Sequence, residues 1–184
     1  DSWLKWAMEK GINEKIRGFI QFKRDYLMKF EPGSDELAFP TPRSWEMVSN
    51  ILNYIDGDID KVFPLVEGTV GMGAAIEFRS WMNVYKSLPS VEDIFAGKNV
   101  AAPKKSDVLY ALVSSMARYA MDNKDNMDMI ANSIRFARKL PADYQVLLLK
   151  DYLCITPDYK SELIKNREFM TWFSEVGAKL NGII

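Results

Sequence analysis

The residues whose types and spacing could do chemistry fall into three groups: a glycine-rich segment, a row of aspartates and one arginine. The segment 68–73, Gly-Thr-Val-Gly-Met-Gly, has the glycine content of a loop that cradles a phosphate. It lacks the Gly-Lys-Ser/Thr ending of such loops and no apolar strand leads into it, so both features that make the motif informative are missing. We therefore expect a turn and a close helix crossing, both of which glycine permits.

The aspartates Asp122, Asp125 and Asp128 stand at every third position. A calcium loop of the EF-hand type requires glycine at its sixth position and glutamate at its twelfth, where this chain has Met127 and Ser133. The acidic residues are explained more simply by a turn between two helices, with Asp125 as the N-cap of the second. We predict that turn and no metal ligand here.

Arg43 is the third candidate, because of the residues that precede it. Thr41 is suited to the N-cap of a helix and Pro42 to its first position, which places Arg43 in the first turn. A cation near a helix N-terminus costs a few tenths up to about 1 kcal/mol, whereas an anion is favoured there. A bound phosphate would meet both the free amide groups and a bidentate guanidinium. The residues alone leave open a second interpretation, a solvated arginine paired with Glu46 or with aspartates.

The composition excludes several classes of function. Lys and Arg total 24 against 25 Asp and Glu, a net charge of -1, which argues against a nucleic-acid partner. One feature favours such a partner, a modest basic stripe that consists of Arg17, Lys23, Arg24 and Lys29. The absence of histidine excludes His-based acid/base catalysis, Ser-His and Cys-His nucleophiles and His-ligated metals. The single cysteine, Cys154, cannot form an intramolecular disulfide, which is compatible with a cytoplasmic location.

No segment predicts membrane insertion or export. A membrane-spanning helix needs about 20 apolar residues, and the longest apolar runs here are far shorter. The N-terminus has neither the basic nor the apolar region of a signal peptide. The chain does not begin with Met, so we expect it to be a processed or excised piece of a longer protein.

The elements that position these residues are predicted to be helices throughout. Apolar residues recur at helical spacing, and no segment shows the alternation of apolar and polar residues that is typical of a strand. The pattern predicts about ten helices, so the predicted fold class is an all-α helical bundle. Residues 97–105 have the composition of a linker and divide the chain into 1–97 and 98–184. We also expect the second helix to run from about Asn13 through Phe30, and Pro64 to kink or break a helix ending near Glu67.

The run 39–46, Phe-Pro-Thr-Pro-Arg-Ser-Trp-Glu, resembles the start of the sensor-2 helix in MoxR-type AAA+ ATPases. Residues 3–22 are similar to the first helices of the same lid domain, particularly in a bacterial and phage subgroup with a Trp-x-x-Trp-Ala element. Residues 70–78 and Leu88-Pro89 resemble the continuation of that subgroup. The resemblance covers residues 1 to about 97, and its most specific part is the run Thr-Pro-Arg-Ser-Trp-Glu.

This resemblance implies a lid-like helical domain over 1–97 with a helical extension over 98–184. In the family, the sensor-2 arginine contacts the γ-phosphate of ATP and couples hydrolysis to lid rotation, a role that would fall on Arg43. The Walker A, Walker B, sensor-1 and arginine-finger elements are not in this sequence. ATP and Mg²⁺ would therefore be held by an upstream domain, and the chain by itself would neither bind them well nor be a catalyst.

The partners implied by the resemblance are the upstream AAA+ nucleotide-binding domain, further copies in a homo-oligomeric ring and a client protein in the cytoplasm. Residues 98–184 would pack on the lid or bind a client or neighbouring subunit. The alternative function is a stand-alone helical protein–protein interaction module with no nucleotide role.

Overall fold

A computed structural model of the chain describes residues 2–30, 37–54, 58–155 and 157–181, with the backbone alone at 157 and 179–181. Across these ranges the regular structure consists of eleven α-helices and one 3₁₀ helix, without a strand. The predicted all-α fold class is therefore confirmed. The chain forms two compact units, Asp1–Ser87 and Leu88–Ile184.

The first unit contains five α-helices: α1 (Ser2–Glu9), α2 (Glu14–Phe22), α3 (Pro42–Tyr54), α4 (Ile59–Val70) and α5 (Met72–Tyr85). Its core is an aromatic cluster centred on Phe19. The ring of Phe19 lies 5.3–6.2 Å from four other aromatic rings, those of Tyr26, Trp45, Phe78 and Trp81. The cluster joins α2, α3 and α5 because each helix contributes at least one of these rings.

The second helix is shorter than predicted. We expected it to continue through Phe30, but α2 ends at Phe22 and a 3₁₀ helix follows over Arg24–Leu27. Lys23 leaves the helical region, with φ -125° and ψ 74°. The 3₁₀ turn brings the carbonyl of Tyr26 to the indole of Trp45, whose Nε1 donates to it at 2.7 Å. A tertiary hydrogen bond therefore stabilises the turn that local spacing did not predict.

Pro64 does not end its helix. α4 continues through this residue to Val70, beyond the predicted end near Glu67. Proline removes the hydrogen bond to the carbonyl four residues earlier, and that loss is costly only where water cannot replace the donor. Pro64 is exposed, whereas Val62 and Val66 of the same helix are buried. The proline lies on the solvent side, so the helix tolerates it.

The second unit contains six α-helices: α6 (Val91–Phe95), α7 (Ser106–Asp122), α8 (Met127–Ala137), α9 (Ala142–Leu153), α10 (Pro157–Lys165) and α11 (Arg167–Asn181). Two buried polar pairs lie in its core. The indole of Trp172 donates to Oε1 of Gln145 at 3.2 Å, and the hydroxyls of Tyr152 and Ser133 are 2.7 Å apart. These hydrogen bonds offset the desolvation of the polar groups.

The boundary between the compact units follows Ser87, whereas the sequence placed the domain boundary after residue 97. The difference arises from α6, which packs on helices of the second unit. Nδ2 of Asn132 in α8 donates to the carbonyl of Phe95 at 3.0 Å, and the rings of Phe95 and Tyr119 lie 4.7 Å apart. The predicted linker at 97–105 is thus a connection inside the second unit.

Within the described ranges, no helix combines the length and the apolar character that crossing a membrane requires.

Candidate functional site

The first turn of α3, which carries Arg43, is held by a reciprocal pair of hydrogen bonds. The amide of Ser44 donates to Oγ1 of Thr41 at 3.0 Å, and the amide of Thr41 donates to Oγ of Ser44 at 2.8 Å. This is the logic of a capping box, with serine in place of the usual glutamate. The predicted N-cap at Thr41 and first helical residue at Pro42 are confirmed.

The side chain of Arg43 is exposed. It makes no hydrogen bond or ion pair with any residue that the structure describes, so the pair with Glu46 that we considered does not form there. No described residue therefore occupies the donors of the guanidinium.

Fewer backbone amides are available than the sequence suggested. The amides of Thr41 and Ser44 are used within the cap, and Pro42 has no N–H. The amide of Trp45 donates to the carbonyl of Thr41 at 3.0 Å as the first helical hydrogen bond. An anion at this end of α3 would meet the guanidinium and one amide, that of Arg43. The expectation of several free amides is wrong because the amides of Thr41 and Ser44 both form hydrogen bonds within the cap and proline has no N–H.

The helix that carries Arg43 is fixed to the core of the first unit. Trp45 is fully buried, with its ring 5.4 Å from those of Phe19 and Phe78. One turn further on, the hydroxyl of Ser49 accepts a hydrogen bond from the amide of Asn13 at 2.9 Å. The backbone at Arg43 is thus held by packing and hydrogen bonds, as a positioned binding residue requires.

Replacing the N-cap tests this arrangement. We expect Thr41→Ala to lower the free energy of unfolding of the chain by about 1 kcal/mol, since the amide of Ser44 loses its acceptor. Thr41→Ser is the matched control and should retain most of the stability, because serine keeps the hydroxyl. Urea denaturation followed by circular dichroism measures both. Equal stability of the alanine variant and the wild type would contradict the assigned cap.

The predicted basic stripe is not continuous. Arg17 is buried at 4% exposure, and its guanidinium donates to the carbonyl of Ile12 at 3.2 Å and to the sulfur of Met8. Lys23 forms an ion pair with Glu77. Arg17 and Lys23 are therefore engaged within the first unit, which weakens the case for a nucleic-acid surface here.

The glycine-rich segment 68–73 is a turn between two helices. Gly71 has φ 82° and separates α4 from α5, in agreement with the predicted turn. Gly68 and Gly73 lie inside the two helices, and a Cβ built on either would meet no atom within 4 Å. The expected close helix crossing is therefore not found at these two glycines.

The aspartate row forms a helix–helix turn, as expected, but its capping residue differs from our prediction. The side chain of Asn126, not Asp125, caps α8 by accepting from the amide of Met129 at 3.2 Å. Asp122 pairs with Nε of Arg118 at 3.0 Å. Among the residues that the structure describes, no group of three or more His, Cys, Asp or Glu side chains could hold a metal ion.

Comparison with protein-family models, with curated proteins and with solved structures finds no match in any of the three. The functional interpretation of Arg43 therefore depends on its chemistry and position, and on the motif around it.

Proposed function

We propose that this chain is the helical lid and C-terminal helical extension of a MoxR-like AAA+ ATPase, in which Arg43 contacts the γ-phosphate of ATP. An upstream domain of the same protein holds ATP and Mg²⁺, and the chain alone is not a catalyst. The single observation that carries the proposal is the exposed guanidinium of Arg43, which has no partner among the described residues and stands at the start of a firmly packed helix.

The chemistry of the first turn supports a phosphate ligand. A guanidinium forms paired, charge-assisted hydrogen bonds to phosphate oxygens. The amide of Arg43 and the positive end of the α3 dipole add to that attraction. A cation in the first turn is unfavourable without an anion, so the ligand also removes a local cost.

The attachment of α3 supports a mechanism of coupling. A displacement of Arg43 is transmitted to the core of the first unit, because Trp45 and Ser49 of the same helix are fixed there. Loss of the γ-phosphate on hydrolysis removes the ligand of the guanidinium, which frees the first unit to rotate against the nucleotide-binding domain. In a homo-oligomeric ring in the cytoplasm, such a rotation would remodel a client protein.

The coding sequence upstream of Asp1 gives the first test. The proposal requires a Gly-x-x-x-x-Gly-Lys-Ser/Thr motif there, since the phosphate cradle must be supplied by another part of the polypeptide. A start codon immediately before Asp1 would exclude the proposal and favour the stand-alone module.

The second test is kinetic and uses the full-length protein. We expect Arg43→Ala to lower ATP turnover at least about tenfold, because a charge-assisted contact to the transferred phosphate is lost. Arg118→Ala, at an exposed arginine paired with Asp122, removes the same charge elsewhere and should leave turnover unchanged. Circular dichroism verifies that both variants fold. Wild-type turnover in Arg43→Ala would refute the assigned role.

A second candidate function is a stand-alone helical interaction module, and exposed apolar side chains of the second unit favour it. Ile164 of α10 and Met170 and Phe173 of α11 are 50%, 39% and 43% exposed. Apolar groups left in water often mark an interface. This function predicts a stable complex with a partner protein. Phe173→Ala should weaken that complex, and ATP should leave it unchanged. Dissociation of the complex by ATP would count against it.

A further inference from the structure

The second unit carries a cavity that the sequence did not suggest, which we call the basic pocket. Its volume is about 200 Å³, and its lining includes Lys98, Asn99, Asn132, Arg135 and Lys139 around Phe136. The first two polar residues belong to the connection after α6, and the others to α8 and the residues that follow it. No acidic side chain lines the pocket within the described residues.

The charges of the basic pocket are incompletely compensated. Nζ of Lys98 pairs with Oδ1 of Asp93 at 2.7 Å. The other two cations have neutral partners: Nη1 of Arg135 donates to Oδ1 of Asn132 at 2.7 Å, and Nζ of Lys139 lies 3.4 Å from Oδ1 of Asn99. Three cations and one carboxylate leave a net charge of +2.

A neighbouring arginine, which directly follows the C-terminus of α8, is paired with carboxylates of the second unit. Nε of Arg138 lies 2.8 Å from Oε2 of Glu175, and Nη1 is paired with Glu168. Arg135 and Lys139 receive no such carboxylate from the described residues, although they are four positions apart and repel each other. The dipole of α8 favours cations at its C-terminus, but it does not require two of them to line one cavity.

The walls of the basic pocket are held in place by specific contacts. The side chain of Asn132 is fixed from both sides, because Nδ2 donates to the carbonyl of Phe95 at 3.0 Å while Oδ1 accepts from Arg135. Gly97 has φ +77°, and a Cβ built there would lie 3.0 Å from the side chain of Asn132. Only glycine therefore allows the connection after α6 to approach α8 so closely.

We propose that the basic pocket binds a phosphate group, either as free phosphate or on a small phosphomonoester. A phosphate dianion matches the net charge of the pocket, whereas a carboxylate would leave one positive charge uncompensated. The planar fork of Arg135 suits two phosphate oxygens, and the ammonium groups of Lys98 and Lys139 supply further donors. The small volume favours a compact ligand. Asn132 acts as a positioning residue for the guanidinium.

Binding is tested with the full 184-residue chain, using inorganic phosphate, glycerol 3-phosphate and, as a monoanion, acetate, all at equal ionic strength. We expect 10 mM of the better phosphate probe to raise the midpoint of thermal unfolding by about 3 °C, and acetate by less than about 1 °C. Isothermal titration calorimetry gives the affinities. Tighter binding of inorganic phosphate identifies the free ion as the ligand, and tighter binding of glycerol 3-phosphate identifies an ester.

Variants distinguish phosphate binding in the basic pocket from a general effect of the positive charge of the chain. We expect Arg135→Gln to lower the affinity for the phosphate probe at least about tenfold, since a charge-assisted contact is lost. Lys150→Gln removes one exposed cation of α9 and should bind as the wild type does. If Arg135→Gln is not folded by circular dichroism, Lys139→Met carries the same expectation. Failure of both phosphate probes to bind better than acetate, or equal affinity in the pocket and control variants, overturns the proposal.

Discussion

We expect Phe19→Ala to lower the free energy of unfolding of the first unit by about 3–5 kcal/mol, the cost of removing a fully buried aromatic side chain. Phe19 has no exposed surface, and its ring contacts rings contributed by α3 and α5. Its removal leaves a cavity between three helices and abolishes the aromatic contacts as well as the apolar burial. Since single domains are stable by about 5–15 kcal/mol, the variant removes a large part of the stability of this unit.

The matched control is Phe30→Ala. Phe30 is 60% exposed and among the described residues has one ring contact, with Phe39, so its truncation should cost less than about 1 kcal/mol. Urea denaturation followed by tryptophan fluorescence measures both variants, because Trp45 and Trp81 belong to the cluster itself. A loss below about 1.5 kcal/mol in Phe19→Ala would show that the site collapses onto the cavity or that the cluster is not the core.

The aromatic cluster links this stability prediction to the proposed function. Trp45 packs directly on Phe19 and lies two residues after Arg43 on the same helix. A cavity beneath Trp45 would loosen the start of α3, so Phe19→Ala should also reduce ATP turnover in the full-length protein if Arg43 senses the nucleotide. If α3 has only a packing role and Arg43 does not sense the nucleotide, Phe19→Ala is not expected to change ATP turnover.

Helix ends were predictable where residues next to them in the sequence determine them. Ser90 caps α6 through its hydroxyl, which accepts from the amide of Asp93 at 3.1 Å, and Gly97 follows with a positive φ. α9 begins directly after Pro141 and α10 begins at Pro157, and the fixed φ of proline suits a helix start. Such signals involve neighbours in sequence, so spacing and residue type suffice to find them.

The errors occurred where distant residues decide the local structure. The 3₁₀ helix that follows α2 is held by the hydrogen bond from Trp45 to the carbonyl of Tyr26, across nineteen positions of the chain. The assignment of α6 to the second unit depends on Asn132, which reaches back to Phe95. Neither contact leaves a pattern in the sequence that periodicity could detect.

The candidate sites divide in the same way. Arg43 could be recognised as a candidate site because Thr41 and Pro42, two consecutive residues, predict the start of a helix. The use of the Thr41 amide by Ser44 was missed, because the capping-box signature has Glu or Gln three positions after the cap and this chain has serine there. The basic pocket was missed because Lys98 and Lys139 belong to separate segments that only the fold brings together.

Buried tyrosines make the second unit sensitive to alkali. Burial raises the pKa of Tyr152 well above the usual 10.0, although the hydrogen bond between its hydroxyl and that of Ser133 opposes the shift. Burial also raises the pKa of Tyr159 above 10.0. In the unfolded chain both phenols ionise near pH 10, while the folded chain keeps both protons. The unfolded state then binds fewer protons, so the free energy of unfolding decreases as the pH rises above about 10.

Each buried phenol contributes a slope of up to about 1.4 kcal/mol per pH unit, so the free energy of unfolding falls continuously above about pH 10. Tyr152→Phe should halve this slope, and Ser133 keeps the carbonyl of Ile130 as its acceptor in that variant. Tyr54→Phe is the control, because it removes the hydroxyl of a tyrosine side chain that is 91% exposed instead of a buried one. Urea denaturation followed by circular dichroism between pH 8 and 12 measures the slopes. Equal slopes for Tyr152→Phe and the wild type would mean that the phenol of Tyr152 ionises in the folded unit, and hence that water reaches it.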